Sequence, residues 1–238
     1  MSGKRIEQEP AFLLHTHPWR ETSLVLDIFS RNHGRLPLAA KGARRPHSQL
    51  RGVLMSFQPL LVSWSGKGEV RTLTGAEWSG GLPLLTGAAM MCGYYANELL
   101  TRLLPREDAH PALFDAYTAL LKALAEGASH DLSLRRFELA LLRELGYAPT
   151  FDCDHAGSPL HPDARYVFII EQGPVLANEV NADLPTLSGR ALLDLAANDL
   201  STPDTLFQAK SLMRRLIAHV LGNHPLESRR IYMELQEL

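Results

Sequence analysis

The chain changes character near Gly80-Gly81, and this change most constrains how it can fold. Before these glycines, short β-branched and apolar runs alternate with turn residues, whereas after them apolar residues recur at helical spacing. We therefore expect an α+β protein, with a small barrel over residues 1–80 and a helical domain over residues 81–238. A chain of 238 residues, 45% of them hydrophobic, is long enough to bury such cores without disulfides.

Five strand-like runs occupy the first part of the chain. They are Ala11–Thr16, Thr22–Phe29, Gly34–Ala40, Val53–Trp64 and Glu69–Thr74. Pro37 favours an edge or bulge position for the third run, and Gly66-Lys67-Gly68 is typical of a tight turn. Short strands with turns between them indicate a small barrel.

Helical spacing dominates the second part. The expected helices are Pro83–Leu104, Pro111–Leu124, Leu132–Leu145, a helix capped by Ser188 and ending at Ala197, one from Thr202-Pro203 to Leu221, and one from Pro225 onward. Residues 149–187 are rich in Gly and Pro and contain one strand-like run, Arg165–Ile170. This segment has the pattern of an irregular insertion between helices.

Several classes of protein do not fit this sequence. It contains only two cysteines, Cys92 and Cys153, which excludes a disulfide scaffold and is typical of a cytoplasmic protein. No apolar run reaches the roughly 18 residues of a membrane span, so we expect no membrane partner. Phosphate-binding glycine loops, a nucleophile elbow and paired carboxylates are all missing, so we expect neither an enzyme nor a cofactor.

Two groups of residues have spacing that metal sites use. Cys153, His155 and His161 form the better-spaced group, and His15 with His17 share one face of a strand. A structural zinc site needs four ligands, which neither group supplies. We therefore expect no bound metal, and a polar surface loop is the simpler interpretation of the first group.

Positive charge is concentrated in the first part. Residues 1–80 carry eleven Lys and Arg against six Asp and Glu, a net charge of +5, whereas residues 81–238 carry thirteen against twenty, a net charge of −7. The segment Lys41–Arg51, called the basic loop below, has four fixed positive charges and no acid. Such a loop on a barrel favours contact with a phosphate backbone, although a solvated loop is the alternative. Phe57 and Trp64 either stack on bases or fill the barrel, and their apolar surroundings favour the barrel.

Several segments, in order along nearly the whole chain, resemble the RecO family of bacterial recombination mediators. In the first part they are Pro18–Leu24, Lys41–Arg44 and Pro59–Leu73, and in the second Tyr95–Leu104, Leu134–Tyr147, Ala209–Arg215 and Leu221–Arg230. The resemblance implies an oligonucleotide/oligosaccharide-binding (OB) barrel followed by a helical domain. It also implies binding of single- and double-stranded DNA, annealing of complementary strands, partnership with RecR, and loading of RecA onto DNA coated by single-strand-binding protein. No hydrolysis is implied, and the expected location is the cytoplasm, at the nucleoid.

The cations of the barrel are the expected DNA contacts. We assign DNA binding to Arg35, Lys41, Arg44, Arg45, Arg51, Lys67 and Arg71. About four contacts to phosphates would give a slope of log affinity against log salt near −3 for single strands.

A second expected site lies in the helical domain. The family engages the tail of single-strand-binding protein, which is acidic and ends in apolar residues, so its receptor needs an apolar pocket edged by arginine. We assign binding of the tail carboxylates to the cations on the expected helices, which are Arg135, Arg136, Lys210, Arg214 and Arg215. Ordinary helix-surface charge, paired with Glu138 or Glu144, is the alternative for this set.

One departure from the family is informative. Many members carry a four-cysteine zinc module after the central helix, whereas this chain keeps only Cys153 there, so it resembles a zinc-less branch.

Two other functions stay open. One is a protein-binding adaptor that touches DNA weakly, and the other is a zinc-dependent hydrolase using Cys153, His155 and His161.

Overall fold

The computed structural model of the chain describes residues 5–180, 184–222 and 224–236. They form two compact units, one of the residues up to His130 together with those from Pro225 onward, and one of Asp131–His224. The barrel belongs to the first unit, and the domain boundary at residue 80 stays a prediction. Within these ranges, no helix combines the length and apolar character needed to cross a membrane.

A closed five-stranded barrel forms the first part of the chain, which confirms the expected OB-type barrel. Its strands are β1 (Ile6–Trp19), β2 (Ser23–Ser30), β3 (Gly34–Ala40), β4 (Pro59–Ser65) and β5 (Arg71–Trp78). They close in the order β1-β2-β3-β5-β4, and only the β3–β5 pair is parallel. Strands β1, β3 and β5 therefore all finish at one end of the barrel, called the loop end below because the basic loop follows β3 there.

Side-chain alternation gives the barrel two apolar surfaces. Inward-facing residues such as Leu13, Ile28 and Trp64 are at most 1% exposed and form the barrel core. The neighbouring Phe12 and Phe29 point to the other face, which explains why apolar residues follow one another without interruption at Ala11–Leu14 in β1 and at Ile28-Phe29 in β2.

Helices make up most of the remaining regular structure. They are α1 (Leu50–Val53), α2 (Gly87–Leu103), α3 (Pro111–Ala125), α4 (His130–Glu144), α5 (Gly189–Ala196), α6 (Pro203–Val220) and α7 (Glu227–Gln236). Phe114 of α3 covers the outer face of β1 and β2, with its ring centroid 5.2 Å from that of Phe12 and 5.5 Å from that of Phe29.

Two expected elements begin later than the sequence pattern indicates. The run from Val53 was expected to be a strand, but α1 and a turn occupy its first half and β4 begins only at Pro59. Phe57, with φ at 66°, reverses the chain there. Helix α2 begins at Gly87 instead of Pro83 because the Gln58 side chain exchanges two 3.1 Å hydrogen bonds with the backbone of Leu82, which holds this segment extended.

Polar contacts attach α2 and α7 within the first unit. The Asn97 amide donates a 3.0 Å hydrogen bond to the carbonyl of Leu14, which lies at a bulge in β1 where strand pairing shifts. The Glu98 carboxylate accepts hydrogen bonds from both backbone amides at the start of α7, those of Glu227 and Ser228. These contacts satisfy groups that the strand and the helix leave unpaired.

The second unit combines α4, α5 and α6 with a small antiparallel sheet. Its strands β6 (Arg165–Ile169), β7 (Gly173–Leu176) and β8 (Thr186–Ser188) lie in the order β7-β6-β8. The expected strand in the irregular segment is therefore confirmed, with two shorter strands beside it.

Candidate nucleic-acid interface

The basic loop is anchored to the barrel at its first turn. Gly42 adopts a φ of 69°, a conformation that favours glycine, and its amide donates to Ser23 Oγ at 3.3 Å. Ala43 is buried in the barrel core, and the Arg44 amide donates a 2.8 Å hydrogen bond to the carbonyl of Thr22. The loop backbone is therefore fixed beside the β1–β2 turn.

A second anchor holds the far side of the basic loop. Leu50 and Leu54, at either end of α1, pack against the barrel core. The Trp78 indole donates a 2.9 Å hydrogen bond to the carbonyl of Val53. Arg51 projects from the same short helix and is exposed.

The four cations of the basic loop are free of acidic partners. Lys41, Arg44, Arg45 and Arg51 are all exposed, and none of them forms an ion pair with any residue that the structure describes. Because these charges are exposed and uncompensated, they can exchange counterions for phosphates at little cost.

The other three assigned cations lie at the opposite end of the barrel. Lys67 is exposed in the β4–β5 turn, just before β5 begins. Arg71 is half-buried and contacts Glu107 at 2.8 Å. The structure thus brings together Lys41 and the three arginines of the basic loop, and separates them from Arg35, Lys67 and Arg71.

Arg35 connects the barrel to α2. Its guanidinium donates to the carbonyls of Thr101 and Leu104, the latter at 3.2 Å, and its Nε lies 3.3 Å from Asp27 Oδ1. Burial raises the pKa of the Asp27 carboxyl, and the charge of Arg35 opposes this shift. One terminal nitrogen of Arg35 therefore already donates to two backbone carbonyls, and the ion pair with Asp27 compensates the charge of the guanidinium.

Two aromatic residues at the loop end were not among the sequence candidates. The Arg20 guanidinium lies 4.4 Å from the ring centroid of Trp19 in the β1–β2 turn, and the Trp78 side chain is 52% exposed. Phe57 and Trp64, by contrast, are buried and fill the core. The sequence did contain a signal for Trp19 and Arg20. A tryptophan followed by an arginine at a turn between two strands is a candidate for contact with a base and a phosphate.

A cleft opens among these elements. It has a volume of about 360 Å³ and is lined by Leu24, Ala43, Arg44, Leu50, Arg51 and Leu54. Its apolar residues belong to or pack against the barrel core. The cleft therefore combines four apolar lining residues with two cationic side chains.

Among the helical cations, Arg135 and Arg215 are committed to contacts in the protein. Arg135 is buried on α4 and forms an ion pair with Glu138 one turn along the helix. Arg215 is half-buried and donates a 3.0 Å hydrogen bond to the carbonyl of Phe168, and burial lowers its pKa. Arg136 lies on the exposed face of α4. Hydrogen bonds from Ser201 lower the pKa of Asp199, and the charge of Arg136 lowers it further.

Lys210 and Arg214 lie one turn apart on the exposed face of α6. Lys210 contacts Asp131 at 2.9 Å in an exposed ion pair, whereas Arg214 has no acidic partner in the described part of the chain. Phe207, one turn before Lys210, is 76% exposed and was not identified from the sequence. The three side chains form an apolar and cationic stripe along α6.

The candidate metal residues form a polar turn. Asp154 Oδ1 accepts hydrogen bonds from the amides of Ala156 and Ser158, and the amide of His155 donates to the carbonyl of Pro174. His161 accepts at Nδ1 from the Asp163 amide, at 3.4 Å. In the ranges that the structure describes, no group of three or more His, Cys, Asp or Glu residues is arranged to hold a metal ion.

Comparison with known proteins covers nearly the whole sequence. The family model described as "Recombination protein O N terminal" matches residues 1–82, and "Recombination protein O C terminal" matches residues 84–230. A relative from Aromatoleum aromaticum, named DNA repair protein RecO, is 61% identical over 240 residues and is covered completely, as is this chain. Relatives of the same name from Azoarcus sp. and Dechloromonas aromatica are 56% and 52% identical, with at least 98% of both chains covered in each comparison. The chain therefore belongs to the RecO family of recombination and DNA repair proteins.

Proposed function

We propose that this protein binds single- and double-stranded DNA through the loop end of its barrel and anneals complementary strands. The observation that carries this proposal is the set of four exposed, uncompensated cations on the anchored basic loop. Contacts to phosphates read no sequence, so they serve any strand. Neutralising the phosphates of two strands lowers their mutual repulsion, which is what annealing requires. No catalytic group takes part.

In this role the protein cooperates with RecR and helps to load RecA onto DNA coated by single-strand-binding protein, at the nucleoid in the cytoplasm. Family membership and the cationic barrel support this role. The surface that receives the acidic tail of single-strand-binding protein is the stripe of Phe207, Lys210 and Arg214, with Arg136 as a further cation. The exposed ring supplies an apolar contact, and the cations complement the tail carboxylates.

The DNA proposal is tested by fluorescence anisotropy of a labelled single-stranded oligonucleotide over a series of salt concentrations. Native protein should show a slope of log affinity against log salt near −3, as expected for about four phosphate contacts. An Arg44→Glu/Arg45→Glu variant should bind more weakly and with a flatter slope. The matched control is Arg190→Glu/Arg229→Glu, which reverses two exposed charges outside the barrel.

A parallel titration with a labelled peptide of the tail separates the two sites. The basic-loop variant should bind the peptide normally, and Arg214→Glu should not. Normal DNA binding and annealing by the basic-loop variant would contradict the DNA proposal and favour a protein-binding adaptor.

A further inference from the structure

The cleft at the loop end is open to solvent and is large enough to receive a small group. Its volume of about 360 Å³ falls within the range of small-ligand pockets, roughly 300–1,000 Å³. Ala43 is 1% exposed, and Leu24, Leu50 and Leu54 pack on the barrel core. Because backbone hydrogen bonds also fix the loop to the β1–β2 turn, the cleft exists before any ligand enters.

The chemistry of the cleft has two parts. Four of its six lining residues are apolar, and the other two, Arg44 and Arg51, are exposed and carry positive charges without acidic partners in the described residues. A ligand that matches both parts has an apolar body with anionic groups beside it. A nucleotide meets this description, because its planar base is linked to phosphates on either side.

The surroundings of the cleft favour a nucleotide within a strand over a separate anion. Lys41 and Arg45 continue the positive charge along the same loop, as a backbone with repeating phosphates requires. The exposed ring of Trp78 is hydrogen-bonded to the helix that supplies Arg51, so a second base has a surface for stacking nearby. An acidic peptide needs neither the extended row of cations nor the stacking surface.

We propose that this cleft holds one unpaired base of a bound single strand, with Arg44 and Arg51 contacting the phosphates that flank it. The inference rests on the proposed DNA binding and adds a subsite that distinguishes single strands from duplex. In a duplex the bases are stacked and paired, so they reach the cleft only by leaving the helix. When the held base pairs with a complementary strand, it leaves the cleft, and the annealed product loses this contact.

The test compares three fluorescent ligands by anisotropy: an oligothymidylate, an oligonucleotide of equal length with abasic sites, and a duplex. The variant is Leu54→Gln, which places an amide among the apolar lining residues, and the control is Leu84→Gln at an exposed leucine outside the cleft. The native protein should prefer oligothymidylate over the abasic strand by about fivefold or more. Leu54→Gln should lose about fivefold of this preference while it binds duplex and abasic DNA normally. Leu84→Gln should behave as the native protein.

Each other outcome has a defined meaning. If the native protein binds none of the three DNAs, the proposed function itself fails. If it binds DNA but Leu54→Gln keeps the native preference for oligothymidylate, DNA binding stands and the base-holding cleft is wrong. If Leu54→Gln instead loses the tail peptide and keeps oligothymidylate, the cleft is a peptide site. Loss of duplex binding would indicate misfolding of Leu54→Gln, and Leu50→Gln then decides by the same criteria.

Discussion

Replacing Arg35 with alanine should show that Arg35 stabilises the fold and does not contact DNA. The Arg35 side chain is only 12% exposed, and its guanidinium contacts the last carbonyls of α2 and the Asp27 carboxylate. The substitution removes all of these contacts together. It leaves the Asp27 carboxylate, itself 15% exposed, without its nearest cation.

The expected loss in the free energy of unfolding is about 3–5 kcal/mol. Hydrogen bonds that involve a charged group contribute roughly 1.5–3 kcal/mol each, and breaking a buried ion pair by removing one partner costs about 3–5 kcal/mol. These contributions overlap, so they do not add fully. Burial already raises the pKa of Asp27, and loss of the guanidinium should raise it further. Protonation then favours the folded variant, so the deficit relative to native protein should shrink as the pH falls below neutral.

The assay is urea denaturation at two pH values, combined with anisotropy of a single-stranded oligonucleotide under conditions where the variant is folded. Arg35→Ala should lose stability and keep DNA affinity within about twofold. The matched control, Arg44→Ala, removes an exposed cation and should change stability by no more than about 0.5 kcal/mol while the salt slope falls by about 0.7. If Arg35→Ala keeps its stability and loses about fivefold or more in DNA affinity, Arg35 is a DNA contact and the structural argument is wrong.

Three further predictions use other contacts. Gly34→Ala should lower the free energy of unfolding, measured by urea denaturation, by about 3 kcal/mol or more, because Gly34 has a φ of 67° and an added Cβ would overlap a backbone carbonyl before α3. The control Gly80→Ala, with a φ of 88° in open space, should lower it by only about 1–2 kcal/mol. Burial raises the pKa of Glu98, but hydrogen bonds from Ser228 outweigh this effect, so the pKa is lowered overall. Protection of the α7 amides from hydrogen exchange in the native protein should therefore decrease when the pH is lowered below about 4.5. Glu98→Gln should show weaker protection that does not change with pH in this range. Phe207→Ser should leave stability within about 0.5 kcal/mol and weaken binding of the tail peptide, measured by anisotropy; unchanged peptide affinity would exclude this ring from the tail site.

The sequence predicted the barrel well because its strands are marked by local patterns. Apolar runs bounded by turn residues specify a strand without reference to distant residues. The start of β4 was predicted poorly because Val53, Leu54 and the residues after them are apolar for a different reason. Val53 and Leu54 pack against the barrel core from the end of a short helix, and apolar composition alone does not distinguish that arrangement from a strand.

The candidate site was harder to predict because the state of a cation depends on residues far away in the sequence. Arg35 meets Thr101 and Leu104, and Arg71 meets Glu107, contacts that no local pattern announces. The free cations of the basic loop could be predicted because the loop contains no acid and protrudes between two anchors. The exposed tryptophan at position 78 was missed because the expected strand run ended at Thr74, whereas β5 continues to Trp78.

The distribution of acidic partners makes the two ends of the barrel electrostatically different. At the opposite end Lys67 is exposed, but ion pairs compensate the three arginines, Arg31 with Asp115, Arg35 with Asp27 and Arg71 with Glu107. At the loop end, the cations of the basic loop have no such partners within the described residues. Because the Debye length is about 8 Å at physiological salt, compensated pairs contribute little to the field felt by a strand, whereas four uncompensated charges on one short loop act together. The net charge of +5 over residues 1–80 therefore underestimates how strongly one end of the barrel attracts a phosphate backbone, and the base-holding cleft lies among those same charges.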